Sequence, residues 1–196
     1  MGGILGPTAL IGTWAVLGTR WPGYSPVRDP ISRLAAVGAP DRVLMTGGLV
    51  AYAAGVLPYA RELTQSYSRP TAVAATLSAI GTLAIAATPL DSPLGDQPHA
   101  IAAGVTYTAL ALTPLFGARA LARRGERRTS IASAGAAIAT GACLALSATG
   151  GGHTGLWQRT GLTIGDLWIL ASATALAFAH PRDTKPALDG STTHNQ

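Results

Sequence analysis

TAVAATLSAIGTLAIAATPL, residues Thr71–Leu90, is the stretch that decides the fold. It passes without a single charge, and a bilayer core asks for about 20 apolar residues per helix. Five more runs read the same way: Gly2–Thr19, Val43–Ala60, Ala100–Ala118, Thr129–Gly152 and Thr160–Ala179. Only the last of them holds a charge, Asp166. Six such runs in 196 residues leave little room for a water-soluble domain. The expected fold is all-α, an integral membrane bundle of six transmembrane helices over residues 1–182, with a polar, disordered cytoplasmic tail over 183–196.

Composition agrees. Charged residues make up 12% of the chain, about half the usual ~25%. The runs are rich in Ala, Gly and Thr rather than Leu, and small residues let membrane helices approach closely. The net charge of +5 comes from loop arginines and does not suggest nucleic acid. Cys143 is the single cysteine, so no disulfide can form within the chain. The first run lacks a basic leading segment and reads as a retained helix rather than a cleaved signal peptide.

Arginine sets the expected orientation. Arg119, Arg123, Arg124, Arg127, Arg128, Arg61, Arg69, Arg182 and Lys185 fall on one side of the membrane, nine against five. The other five are Arg20, Arg28, Arg33, Arg42 and Arg159. Positive-inside bias then puts both termini in the cytoplasm of a multi-pass cell-membrane protein. The outer side receives Trp21, Tyr24, Arg28, Asp29, Ser32, Asp91, His99, His153, Trp157 and Arg159. His180 reads as an interface residue at the inner end, and His194 in the tail as idle. The longest outer connection, Arg20–Arg42, is broken by Pro22, Pro26 and Pro30. After Pro30, Ile31–Val37 suits a short interfacial helix, with Asp29 near its start, where an acid is favoured.

The stretch Tyr24-Ser25-Pro26-Val27-Arg28-Asp29-Pro30-Ile31-Ser32-Arg33-Leu34 resembles the signature after the first helix of the bacterial and archaeal membrane family catalogued as domain of unknown function 998. Thr88-Pro89-Leu90-Asp91 followed by His99 fits the same family, as does Gly155 to Arg159 before a sixth helix that holds Trp168. The resemblance spans nearly the whole chain. It implies the six-helix architecture and no activity.

Three side-chain sets suggest chemistry. Asp166 lies seven residues past Arg159, roughly 10 Å along a helix. An ionised group at that depth costs at least ~2.5 kcal/mol, so Asp166 is expected to face the bundle, pair with a partner such as Arg28 or Arg159, or be protonated. Asp29 and Asp91 sit at the membrane boundary; for Asp29 a salt bridge to Arg28 or Arg33 is the plainer explanation, and Asp91 could cap a turn. Trp14, Trp21, Trp157 and Trp168 all read as lying in the outer half, Trp14 and Trp168 deeper than an interfacial belt requires. Indole faces stabilise cations. Acids and deep indoles in one apolar cavity suit an enzyme that protonates an alkene and shelters a carbocation. Small integral-membrane terpene cyclases of natural-product pathways are similar in type.

In that reading Asp29, Asp91 or Asp166 protonates an isoprenoid or prenylated substrate. Trp14, Trp21 and Trp168 hold the cation, Tyr24, Arg28, Ser32 and Arg159 help bind the substrate, and His99 or Arg159 positions its polar end or takes the final proton. No cofactor or metal is expected. A second reading is a non-catalytic lipid-binding or assembly protein, in which the same charges form structural pairs. A third is a hydrolase using Ser32, His99 and Asp91. Intramembrane hydrolases related to ceramidases carry an H-x-x-x-H pair that this chain lacks, and His99 and His153 are too few for a three-histidine zinc site.

The orientation is testable by cysteine labelling in a Cys143→Ala background. A cysteine at Gly151 is expected to react from outside intact cells, and one at Gly125 only after the membrane is opened. The reverse pattern would overturn the orientation.

Overall fold

The computed structural model describes residues 1–179; the expectations placed on His180, His194 and the 183–196 tail lie outside the described residues. Six helices form: α1 (Gly2–Arg20), α2 (Arg42–Ser66), α3 (Arg69–Ala87), α4 (Gln97–Arg123), α5 (Arg127–Ala148) and α6 (Thr154–Ala179). Each is long and apolar enough to cross a membrane. The described residues hold no strand. The expected short helix is a 3-10 turn, Ile31–Ala35.

The helices start and stop where local chemistry dictates. Ser68 accepts a hydrogen bond from the Thr71 amide at 3.3 Å and begins α3, with Pro70 in the first turn, where a missing N–H costs nothing. Pro7, Pro58 and Pro114 sit inside helices, which neighbouring membrane helices tolerate. Several buried threonine hydroxyls bond back to their own helices. Thr82 donates to the Ser78 carbonyl at 2.9 Å, Thr106 to Ala102 at 2.8 Å and Thr113 to Ala109 at 2.9 Å. These threonines therefore bring no unmet polarity into the apolar interior.

Several boundaries differ from the apolar runs. α4 continues to Arg123, so Arg119 and Arg123 ride on the helix rather than in a loop. α6 begins at Thr154 rather than Thr160, because the loop between α1 and α2 caps its first amides. Gly155, Trp157 and Arg159 therefore belong to the helix, and Asp166 and Trp168 sit deeper than their distance from the run's start implied.

Each helix packs on the next, α6 closes onto α1, and α4 also meets α6. The connections α1–α2, α3–α4 and α5–α6 gather at one end, here the long-loop end. The chain start and the connections α2–α3 and α4–α5 gather at the other, the arginine end. α1 and α2 touch through backbone: a Cβ added at Gly55 would stand 2.8 Å from the Gly6 Cα, and one at Gly6 2.8 Å from the Tyr52 carbonyl oxygen. Apolar burial against lipid gives membrane helices little drive to associate, so such close contacts hold the bundle.

Gly55→Val and Gly6→Val are each expected to lower stability by about 1–3 kcal/mol through overpacking. Gly12→Ala is the control, since a Cβ there meets nothing within 4 Å; it is expected to be neutral or up to ~1 kcal/mol stabilising. Thermal unfolding in detergent, followed by size-exclusion chromatography, reads the difference.

Candidate functional site

The long-loop end is built around the segment between α1 and α2. Gly23 turns the chain at φ +84°, a conformation glycine adopts at little cost. Trp21 then stacks on Tyr24, ring centroids 5.7 Å apart. The Asp29 carboxylate accepts the Ser25 amide at 2.7 Å, and the Asp29 amide donates to the Ser25 carbonyl at 2.7 Å. Asp29 thus closes its own loop. It neither caps the 3-10 turn nor pairs with Arg28 or Arg33.

α6 receives this loop on its first turn. The Gly155 amide donates to the Arg28 carbonyl at 3.2 Å and the Leu156 amide to the Val27 carbonyl at 2.9 Å, satisfying donors that a helix start leaves open. A Cβ on Gly155 would stand 2.7 Å from the Pro26 carbonyl oxygen, so only glycine lets the loop lie this close. One turn on, Arg159 is 8% exposed. Its Nη1 donates to the carbonyls of Pro26 (2.7 Å), Asp29 (2.9 Å) and Gly155 (3.0 Å), and its Nη2 to the Tyr24 hydroxyl. The guanidinium carbon lies 5.4 Å from the ring centroids of both Trp14 and Tyr24. A buried cation is met here by carbonyl dipoles and ring faces, with no carboxylate pair. Burial pushes the Tyr24 phenol above its ordinary value, and the Arg159 charge and hydrogen bond pull it down less strongly.

Beneath the loop lies a cavity of about 40 Å³. Leu10, Met45, Leu49, Ile85 and Leu162 make it apolar, and Ser32, Thr82, His99, Thr106, Tyr107 and Gln158 add polar groups. His99 is buried in the first turn of α4, its Nδ1 2.7 Å from the Thr88 carbonyl oxygen. A carbonyl only accepts, so Nδ1 carries the proton, and Nε2 of the neutral ring is an acceptor. Nε2 has no hydrogen-bond partner among the described residues. Gln158 spans the roof: it accepts the Ile31 amide at 2.6 Å and donates to the Tyr107 hydroxyl.

Sequence reasoning missed Gln158 and Tyr107. Both lie on apolar helices, and a polar residue between Trp157 and Arg159 was the one available signal.

The expected site residues do not all meet. His99 and Ser32 share the cavity. Trp14, Trp21, Tyr24, Arg28 and Asp29 belong to the Arg159 framework above it, Arg28 through its backbone. Asp91 stands outside, at φ +58°, in an exposed 2.8 Å salt bridge with Arg33, worth at most ~1 kcal/mol. Asp166 is 2% exposed and forms no ion pair with Arg28 or Arg159; Arg33–Asp91 is the sole ion pair among the described residues. The Tyr52 hydroxyl neighbours its carboxyl and lies 3.3 Å from the Ser78 hydroxyl, while Asp166 Oδ1 has no hydrogen-bond partner.

Leu162, Leu49 and Thr82 line the cavity, each one helical turn nearer the long-loop end than Asp166, Tyr52 and Ser78. That polar trio therefore underlies the cavity floor. Trp168 is elsewhere. Because α6 starts early, Trp168 falls toward the arginine end, edge-on to Tyr67 at 5.5 Å and donating to Ser133 at 2.9 Å.

Six apolar helices, five of which line the small cavity, define an integral, multi-pass membrane bundle. The family profile described as "Protein of unknown function (DUF998)" matches residues 4–175, and the chain belongs to that family. No curated protein and no solved structure matches it.

Arg159→Gln is expected to cost about 3 kcal/mol or more, since several charge-assisted bonds are lost together. Tyr24→Phe is expected to cost about 1–3 kcal/mol by leaving a guanidinium donor unmet. The Tyr24 contribution is fully present below its unfolded value near pH 10 and fades as pH rises through the higher folded value. Thermal midpoints of parent and Tyr24→Phe between about pH 9 and 11 should therefore converge.

Proposed function

We propose that this protein is a membrane enzyme that takes a small, largely apolar molecule of isoprenoid type at its long-loop end and moves a proton on it. The observation that carries the reading is His99: a buried imidazole with its tautomer set by Thr88, its free nitrogen left for whatever fills an apolar cavity. A group fixed in this way suits a general base, or the acceptor for a substrate's polar end. In acid-initiated cyclisation His99 would take the final proton. The first proton needs a neutral acid within reach. Asp29 is held by its loop and Asp91 by Arg33. Asp166, a turn below the cavity floor, is the remaining candidate donor.

A cavity of about 40 Å³ has room for roughly three waters. An isoprenoid therefore has to displace the 3-10 turn Ile31–Ala35, which the Gln158 bond to Ile31 holds in place. Trp14 and Tyr24 would then face the entering molecule, with Arg159 between them.

The non-catalytic reading is favoured by one specific observation. Arg159, Asp29, Arg33 and Asp91 are all engaged with neighbouring loops or with one another, as framework groups would be. The hydrolase reading keeps Ser32 and His99 in one cavity, but a backbone carbonyl occupies the place of the orienting carboxylate.

Membranes containing the protein, supplied with a panel of prenylated substrates, separate the readings by product analysis. His99→Gln is expected to reduce turnover about 100-fold or more while the protein stays folded, with His153→Gln as the control. Substrate retained but recovered unchanged by the parent protein would favour the binding reading. An established substrate turned over by Asp166→Asn at the parental rate would end the acid-initiated mechanism.

A further inference from the structure

At the arginine end, α4, α5 and α6 leave a groove of about 470 Å³, more than ten times the cavity under the long loop. Its sides are small and apolar: Ala136 from α5, Leu167 and Ala171 from α6. Trp168 lines it, with the indole N–H already engaged by Ser133, so the ring presents carbon rather than an open donor. Tyr67 edges the same groove and packs against Trp168. The Arg124 guanidinium lies over the Tyr67 ring, 6.0 Å from its centroid. A cation thus stands directly at the mouth of an apolar slot. Arg123, Arg127 and Arg128 are exposed within four residues of it, and Glu126, the one acid among them, lines the groove itself.

We propose that this groove binds an anionic phospholipid. One acyl chain lies along α5 and α6 against Trp168, and the phosphate sits among Arg124, Arg127 and Arg128. Charge and shape both select this occupant. A free phosphate has no use for the apolar slot, and a zwitterionic lipid gains less from several arginines beside a single glutamate. A purely topological role accounts for the arginines but not for an apolar groove edged by Tyr67, the ring that Arg124 covers. The site is separate from the cavity of His99 and does not depend on the proposed chemistry.

Trp168 is a built-in reporter. The protein is reconstituted into vesicles holding equal mole fractions of phosphatidylglycerol and phosphatidylcholine, with the acyl chains of one or the other brominated. Subtracting the Trp168→Phe signal isolates the Trp168 fluorescence. Quenching is expected to be stronger when the phosphatidylglycerol carries the bromine. Arg127→Gln and Arg128→Gln are each expected to lower the relative affinity roughly fivefold and bring the two quenching curves together. Circular dichroism confirms that each variant is folded, and Arg20→Gln, at the long-loop end of the bundle, should leave the preference intact. Equal quenching by the two lipids in the parent protein would overturn the proposal. Absence of any Trp168 quenching would overturn it too, since the groove would then be covered by something other than lipid, such as a second copy of the chain.

Discussion

A buried guanidinium organises the long-loop end. Arg159 brings a permanent charge into a site 8% exposed and meets it with three carbonyls, a phenol and two aromatic faces. Those groups come from the second half of α1, the loop that follows it, and the start of α6, 130 residues beyond Asp29. Meeting the charge therefore brings these segments together. The first amides of α6 are capped by the same loop, so helix start and loop path are set in one event. This is why α6 begins at Thr154 rather than at the start of its apolar run.

The cavity depends on that assembly. With the loop tied down, Gln158 reaches Ile31 and Tyr107, and the 3-10 turn covers the space between α1, α2, α3, α4 and α6. His99 is fixed from the opposite side by Thr88. Beneath the floor, Asp166, Tyr52 and Ser78 form a polar group in the middle of an otherwise apolar bundle. The vertical order is framework, roof, cavity, acid. The proposed chemistry uses the lower two layers and needs the upper two to move.

The arginine end follows different physics. No buried cation gathers it. Small residues let α4, α5 and α6 approach, yet leave a groove of about 470 Å³ lined by alanines of α5 and α6. Trp168 fills part of this space and lies close over Gly117. The exposed arginines stand beside this groove rather than inside the protein. One end of the molecule is thus closed by internal hydrogen bonds, and the other carries an apolar groove.

Six apolar runs, five of them charge-free, determine the all-helical membrane fold by themselves, because a backbone in lipid must satisfy its hydrogen bonds within each span. The resemblance of Tyr24–Leu34 to its family was legible for the same reason: a signature is local. So was the inward direction of Asp166, since a charge at that depth cannot face lipid cheaply. Partnership was not legible. Asp29 looked like half of an ion pair with Arg28 or Arg33, yet it closes its own turn, while Arg33 reaches Asp91, 58 residues away in the chain. Trp168 looked like a companion of Trp14, but a six-residue difference in where α6 starts moves it to the other end of the bundle. Hydropathy records which segments enter the membrane and is nearly indifferent to where a helix begins within a polar margin. Capping by a distant loop makes that choice, and only the tertiary structure brings the loop and the helix together.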